Sequence, residues 1–175
     1  RITYINVTKG SKYTKLVLNQ KIYDSKTIPY KRGDILDRNG TKIATSERVY
    51  NVILDVVVMT DKEEYIDPTI KVLNKCFGIS EKTVREIVEE KPNSRYVILK
   101  KGIDYETAQK YNEIKNDTEK YPNVKGIWLE DDYNRTYPYN TLASDVIGFT
   151  YSGNIGAIGI ESAYNDVMTG TDGRE

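Results

Sequence analysis

The stretch RGDILDRNG, residues 32–40, decides the interpretation of this sequence, because it concentrates two arginines, two aspartates and two glycines in nine residues. Asn39-Gly40 suits a tight turn with positive φ angles, so the stretch predicts a β-hairpin with the residues that follow it. Turn chemistry does not explain the charges. Two further interpretations stay open: an exposed Arg-Gly-Asp adhesion signal, and the signature of a protein family.

The four charged side chains of this stretch also allow a structural interpretation. An arginine fork can hold a carboxylate through two parallel hydrogen bonds. We therefore predict a clasp of ion pairs that locks a crossing of chain segments, formed among Arg32, Asp34, Asp37 and Arg38.

The composition excludes several classes of function. The chain has no histidine and one cysteine, Cys76, which excludes His-based triads, the usual zinc sites and an internal disulfide. Its formal net charge is zero, so we expect no nucleic-acid partner. No apolar run approaches the roughly 18 residues of a membrane span. Because the first residue is Arg1, an upstream membrane anchor remains an expectation.

The sequence offers no complete catalytic constellation. Without histidine a nucleophilic serine needs a lysine base, most simply as Ser-x-x-Lys, and no serine here has that spacing. Ser-Gly-Asn at 152–154 is interpreted as a loop, and Cys76 as a small buried hydrophobe. The run Glu130-Asp131-Asp132 has the groups for a hard cation or acid–base work, although a solvated strand end is the simpler interpretation. We predict no catalytic residues, no metal and no cofactor.

Hydrophobic periodicity predicts alternating strands and helices. Extended segments are expected over 1–31, with further strands over 49–58, 95–100 and 124–132. Helices are expected over 61–77, ending before Gly78, and over 81–90, beginning after Ser80. A third helix is expected after Asp104, with Ala108, Tyr111 and Ile114 facing inward. Short helices are expected at 141–149 and 161–168. The prediction is an α+β fold: extended N-terminal strands and a mixed sheet body, about 1–60 and 121–175, with a small α/β head inserted at about 61–120.

Three groups of residues have a combined pattern that is more specific than any one of them. The first is Arg32-Gly33-x-Ile35-x-Asp37-Arg38-Asn39-Gly40 with Ile43-Ala44, and the second is Arg135-x-Tyr137-Pro138 with Leu142-Ala143-Ser144-x-x-Ile147-Gly148-Phe149. The third is Gly159-Ile160-Glu161-x-x-Tyr164-Asn165 with Gly170-Thr171-Asp172-Gly173. In this order they resemble the motifs of the N-terminal, non-catalytic region of class B penicillin-binding proteins, the monofunctional peptidoglycan D,D-transpeptidases. Ile5-Asn6-Val7-x-Lys9-Gly10 and Asn19-Gln20 are similar to the stretch after that family's membrane anchor, whereas 45–130 matches only in its pattern of elements.

The resemblance implies a pedestal, often called the dimerisation domain, which spans 1–175. It would stand between a transmembrane helix and a serine-type transpeptidase domain, on the outer face of the bacterial cell membrane, and take part in cell-wall synthesis. The implied partners are the transpeptidase domain of the same polypeptide, a SEDS-family glycosyltransferase, other elongation or division proteins, and a second copy of the chain. The implied structural or interface residues are Arg32, Gly33, Asp37, Arg38, Asn39, Gly40, Arg135, Tyr137, Pro138, Gly148, Gly159, Glu161, Gly170 and Gly173.

Two other function classes remain open from the sequence. A self-standing extracellular adhesion or binding module would use Arg-Gly-Asp or the tyrosines at 133, 137, 139 and 151, since tyrosine is common at interfaces. A small complete enzyme would use Glu130 and Asp132.

Overall fold

The structure is a computed structural model, and it describes residues 27–141, 143–151 and 154–174. The chain divides into two compact units. In the first unit, Arg1–Tyr30 with Thr171–Glu175, the described residues form an antiparallel ladder between β1 (Thr27–Ile28) and β8 (Gly173–Arg174). The backbone N–H of Tyr30 donates to Oδ1 of Asp172 at 2.9 Å in the same unit. Thus the one described part of the predicted N-terminal strands does pair with a distant segment, and residues 1–26 lie outside the described residues.

The second unit, Lys31–Gly170, begins with the predicted hairpin, which is confirmed. β2 (Ile35–Leu36) pairs with the start of β3 (Lys42–Leu54) in antiparallel register. Between them Oδ1 of Asp37 accepts the backbone N–H groups of Asn39 at 2.7 Å and Thr41 at 2.8 Å. Gly40 has φ +83°, a conformation that costs glycine little.

β3 is the central strand of this unit because it pairs on both sides. β5 (Ile127–Thr136) runs antiparallel to it from Thr45↔Thr136 to Leu54↔Ile127, and β4 (Val97–Ile103) pairs with its second half. Side chains alternate between the two faces of such a sheet. Val52 and Leu54 therefore face one side, whereas Ile53 lies opposite Trp128 and Ile98 on the other.

The strand predicted over 49–58 is wrong at its end. Residues Val56–Thr60 form a short helix, α1, although three consecutive valines favour a strand. The reason is Asp55, whose carboxylate caps the helix by accepting the N–H of Val58 at 3.0 Å. The local hydrogen bond of the cap prevails over the β propensity of the valines, which depends strongly on context.

The three main helices are confirmed together with their end signals. α2 (Glu63–Phe77) ends at Gly78, which has a left-handed conformation, and α3 (Glu81–Glu90) is capped by the Ser80 side chain. α4 (Tyr105–Asn116) is capped by Asp104 and buries Ala108 and Tyr111. The predicted short helices are found in smaller pieces: α5 (Ser144–Ile147), α6 (Gly159–Ala163) and α7 (Asn165–Met168). Between α5 and α6, the strands β6 (Thr150–Tyr151) and β7 (Ile155–Gly156) form a two-stranded antiparallel ladder.

The main hydrophobic core joins the sheet to the helices. Its buried members are Val52, Leu54, Val56, Met59, Ile70, Val72, Leu73, Phe77, Ile79, Val84, Val97, Ile103, Tyr111 and Ile127. Inside it the hydroxyl of Tyr111 donates to the carbonyl of Ile127 at 2.8 Å, so its polar end is satisfied. A smaller cluster of Ile35, Ala44 and Ile147 lies under the hairpin. The predicted α+β class is confirmed, whereas the division into a body and a head stays a prediction.

Candidate functional site

The most unusual feature of the Lys31–Gly170 unit is a buried glutamate held between two arginines. Glu161 lies in α6 and is fully buried. Its Oε2 accepts Nε of Arg32 at 2.8 Å, and its Oε1 accepts Nε of Arg135 at 2.7 Å. We call Arg32, Glu161 and Arg135 the Arg–Glu–Arg cluster. Because the cluster joins residues 32, 135 and 161, it ties the start of the hairpin, strand β5 and helix α6 together.

Arg32 is fully buried and uses its whole guanidinium group. Besides Glu161 Oε2, its partners are the carbonyl of Glu161 at 2.8 Å, the carbonyl of Asn154 at 2.9 Å, Oδ1 of Asn165 at 3.0 Å and Oγ1 of Thr169 at 3.1 Å. A buried charge is tolerated where its donors are satisfied in this way. Arg32 therefore organises α6, α7 and the turn before β7 around one planar fork.

Arg135 is less completely paired. Its Nη1 donates to the carbonyl of Gly33 at 2.8 Å and to Oγ of Ser46 at 3.3 Å. Its Nη2 is buried and has no hydrogen-bond partner among the residues that the structure describes. The hydroxyl of Tyr137 also donates to Oε1 of Glu161 at 3.3 Å, and burial together with the charge of Glu161 raises the pKa of Tyr137.

The charges of the cluster indicate what it can do. Two guanidinium groups, which do not deprotonate in proteins, share one carboxylate, so the buried site carries an excess positive charge. Buried ion pairs add little net stability, yet removing one partner is strongly destabilising. The arrangement is suited to fixing the geometry of distant segments rather than to proton transfer.

The predicted clasp is therefore wrong in its partners. Arg32 reaches across the chain to Glu161 instead of pairing within the stretch 32–40. Asp34 instead accepts the Thr45 hydroxyl at 2.7 Å and pairs with Lys42 at 3.0 Å, and the Thr45 hydrogen bond is the main reason that the pKa of Asp34 is lowered. Asp37 serves the turn, where the N–H of Thr41 and then that of Asn39 lower its pKa. Arg38 is exposed in the turn.

The glycines of the three motifs lie in different surroundings. Gly148 and Gly159 meet back to back: an added Cβ at Gly148 would lie 1.9 Å from the carbonyl oxygen of Ile158, and both residues have positive φ. Gly33 donates its N–H to the carbonyl of Met168 at 2.9 Å and packs beside it. Pro138 lies in the turn after β5, Gly170 is exposed after α7, and Gly173 belongs to β8 in the first unit.

The structure contradicts the adhesion signal in its simplest form. An Arg-Gly-Asp signal must present its arginine to a partner, but Arg32 is 0% exposed. Two tyrosines near the second motif remain accessible to a binding partner, since Tyr139 is 49% and Tyr151 is 56% exposed.

The structure gives little support to a metal site, to a nucleophilic Cys76 or to acid–base chemistry at Glu130 and Asp132. Within the described ranges, no three His, Cys, Asp or Glu residues come together as metal ligands. Burial raises the pKa of Cys76, which makes its thiol a poorer nucleophile. Glu130 accepts the Tyr96 hydroxyl and the Trp128 indole N–H, and Asp132 accepts the Asn51 amide.

Several residues of the cluster's surroundings carry no sequence signal that would identify them. Ser46, Asn154 and Thr169 contact the two arginines. Each is a common residue in an ordinary local context, so only the folded arrangement identifies it. Asn165 falls inside the third motif, where the resemblance gives it a place but no role.

The fold and the cluster define an α+β domain whose distant segments are joined by a buried ionic junction. The sequence matches the model of the penicillin-binding protein dimerisation domain over residues 27–175, and the chain belongs to this family. The resemblance seen in the motifs is thereby confirmed.

Individual relatives agree with this assignment. The chain is 26% identical to peptidoglycan D,D-transpeptidase FtsI of Buchnera aphidicola subsp. Baizongia pistaciae, over 100% of this chain and 29% of that protein. It is 29% identical to stage V sporulation protein D of Bacillus subtilis, over 99% of this chain and 25% of that protein. The chain therefore spans less than a third of these relatives.

Solved structures confirm the fold. Penicillin-binding protein 2X of Streptococcus thermophilus matches with a TM-score of 0.64 and 26% identity, over 86% of this chain and 24% of that one. A complex between penicillin-binding protein 2 and MreC from Helicobacter pylori matches with a TM-score of 0.60 and 26% identity, over 86% of this chain and 30% of that one. None of the helices in the described part of our chain has the length and apolarity needed to cross a bilayer.

Proposed function

We propose that this chain is the non-catalytic pedestal of a membrane-anchored class B penicillin-binding protein. In this role it holds a serine-type transpeptidase domain of the same polypeptide on the extracytoplasmic side of the bacterial membrane during peptidoglycan synthesis. The family membership and the transpeptidase names of the relatives support the proposal. The observation that carries it is the Arg–Glu–Arg cluster, in which residues of all three motifs meet.

The cluster gives the pedestal a mechanical role. A spacer transmits position only if its segments keep their relative geometry, and here one carboxylate fixes the hairpin start, β5 and α6. Asp37, Asn39 and Gly40 shape the turn of the same hairpin, while Gly148 and Gly159 allow two loops to touch. The motif residues thus act as structural residues of the pedestal, and none takes part in the chemistry of cross-linking.

The pedestal also offers surfaces to other proteins of cell-wall synthesis. The Helicobacter pylori penicillin-binding protein 2 is seen in complex with MreC, which supports partner binding by proteins that carry such a domain. Our proposed partners are a SEDS-family glycosyltransferase and other elongation or division proteins, with a second copy of the chain as a further partner. A head at about 61–120 would receive such a partner, and a body at about 1–60 and 121–175 would carry the effect to the enzyme.

The test uses the parent protein and this chain side by side. Membranes containing the full-length protein are labelled with a fluorescent penicillin, and the isolated 175-residue chain is labelled in parallel. We expect covalent label on the parent and none on the chain, because the serine nucleophile and its lysine base lie elsewhere in the parent. Label on the chain would contradict the non-catalytic assignment. A parent gene without a transpeptidase domain would contradict the pedestal.

A further inference from the structure

The sheet of the Lys31–Gly170 unit has a second face, opposite the one that contributes Val52, Leu54 and Ile127 to the main hydrophobic core. Alternate residues of β5 point to it, and the register places Trp128 opposite Ile53 and Glu130 opposite Asn51. Ile98 of β4 also lies opposite Ile53, and Tyr96 precedes that strand. We call Tyr96, Ile98, Trp128, Glu130 and Asp132 the Trp128 face.

The Trp128 face has the composition of a binding surface. Tyr96 is 52% exposed and Ile98 is 39% exposed, which leaves large apolar groups in contact with water. The rings of Tyr96 and Trp128 lie 6.2 Å apart, tilted by 58°. Tyrosine and tryptophan are the aromatic residues that contribute most to protein interfaces.

A carboxylate joins these two rings. Oε2 of Glu130 accepts the Tyr96 hydroxyl at 2.7 Å, and Oε1 accepts the Trp128 indole N–H at 3.0 Å. These neutral donors fix the position of Glu130 but leave its charge in place. A carboxylate offers about four acceptor positions, so two remain for a further donor.

The charges on this face are not balanced by the described residues, in contrast to the rest of the unit. The partly or fully buried carboxylates of Asp34, Asp55, Asp131 and Glu161 each have a lysine or arginine within 4.0 Å. No described lysine or arginine forms such a pair with Glu130 or Asp132, which instead accept neutral donors. Burial, then the hydrogen bond to Glu130, and then the charges of Glu130 and Asp132 raise the pKa of Tyr96 to about 12.

We propose that the Trp128 face binds two cationic side chains, arginine or lysine, at alternate positions of an extended segment of a partner protein. One cation would lie against the rings of Tyr96 and Trp128 and pair with Glu130, the other would pair with Asp132, and an aliphatic neighbour would cover Ile98. Cations are attracted to aromatic faces, and their hydrogen bonds to carboxylates are stronger than those between neutral groups. The proposal rests on the proposed function, since it gives a partner of the pedestal a chemistry, and it extends the binding surface from Tyr96 and Ile98 in the proposed head to strand β5 in the proposed body.

The spacing of the two carboxylates defines the probe. Glu130 and Asp132 are two residues apart on a strand, which is about 6.6–6.8 Å. An extended peptide with arginine at alternate positions has the same spacing. The probe is therefore a fluorescein-labelled, amidated peptide Ile-Arg-Ile-Arg-Ile, and its control carries citrulline, a neutral analogue of similar shape, in place of both arginines.

Fluorescence anisotropy measures the binding of both peptides to the full-length protein in nanodiscs. We expect saturable binding of the arginine peptide and at least about tenfold weaker binding of the citrulline peptide, since it loses two cation contacts and the loss of one alone accounts for about that factor. Glu130→Gln and Asp132→Asn should each weaken the arginine peptide severalfold. The matched control is Asp131→Asn, which changes the net charge equally but lies on the opposite face and pairs with Arg48. It should leave binding within twofold.

Three results would overturn the proposal: no saturable binding, equal binding of the citrulline peptide, or an equal loss in Asp131→Asn. The first would show that no such surface is accessible in the parent, the second that contact is apolar only, and the third that the effect is general charge. Fluorescent-penicillin labelling of the same nanodiscs reports on the pedestal function separately. Normal labelling without peptide binding would reject the Trp128 face alone.

Discussion

Replacing Glu161 by glutamine should destabilise the Lys31–Gly170 unit far more than any exposed charge change. The glutamine fits the same space, but its amide keeps one acceptor and turns a donor toward the other arginine. Arg32 and Arg135, with side chains 0% and 2% exposed, then both lose the one carboxylate that pairs with them in the described part of the chain. Removing one partner of a buried ion pair costs about 3–5 kcal/mol, and the excess of two cations here favours the upper half of that range.

The assay is equilibrium unfolding of the chain in urea, followed by the fluorescence of Trp128, its single tryptophan. For a unit of this size the loss corresponds to about 10–20 °C in Tm if unfolding is followed by heat instead. The matched control is Arg85→Ala, which removes the exposed pairs of Arg85 with Glu81 and Asp67 and should leave the midpoint unchanged within error. The slope of the free energy against urea should stay the same in both variants.

A double-mutant cycle provides the decisive comparison. Arg135→Met removes one of the two cations, so in the Glu161→Gln background it should cost much less than in the wild type, or even restore stability. Additive losses, or a loss below about 1 kcal/mol in Glu161→Gln alone, would refute the view that the carboxylate neutralises both arginines.

Three further outcomes follow from the described contacts. Arg32→Met should lower the urea midpoint more than Arg135→Met, because besides the shared carboxylate Arg32 donates to Asn154, Asn165, Thr169 and the carbonyl of Glu161, whereas Arg135 donates only to Gly33 and Ser46 among the described residues; equal losses would contradict this. Gly148→Ala should abolish or strongly reduce folding, measured by circular dichroism, since its Cβ would fall 1.9 Å from the Ile158 carbonyl oxygen, while Gly33→Ala, with its nearest contact at 3.5 Å, should be tolerated. The pKa of Asp37 in the folded protein lies below its usual value of 3.8. Its contribution to stability is therefore present above the unfolded pKa and is lost as the pH falls through the folded pKa. Urea midpoints measured from pH 6 to pH 2 should fall less steeply in Asp37→Asn than in the wild type.

Much of the fold could be predicted because its signals are local. Gly78, Ser80 and Asp104 set helix ends through hydrogen bonds to residues a few positions away, and their helices were found where these signals placed them. The same principle explains the failure at Val56–Thr60. There the composition favours a strand, whereas the Asp55 cap is an equally local signal that favours a helix.

The partners of the motif residues could not be predicted in this way. Asp37 and Asn39 have partners within four residues, so turn chemistry accounts for them. Arg32 is 129 residues from Glu161 along the chain, and the aspartates beside it in the sequence looked like adequate partners. Only the resemblance to a family placed Arg32, Arg135 and Glu161 in one set, and it gave no contact between them.

Glu161 on α6 and Glu130 on β5 have different roles in our proposals: Glu161 fixes the geometry of the fold, and Glu130 binds a partner. Glu161 has no exposure and two cations, so a partner cannot reach it, and changing it alters the fold. Glu130 is only half-buried and is held by the neutral donors of Tyr96 and Trp128, which leave its charge available. A position that contacts partners must tolerate substitution without unfolding, since its interactions are completed by another protein. On this reasoning Glu161→Gln and Glu130→Gln, chemically the same change, should separate cleanly: the first loses stability, and the second keeps stability and loses only the binding of the cationic peptide.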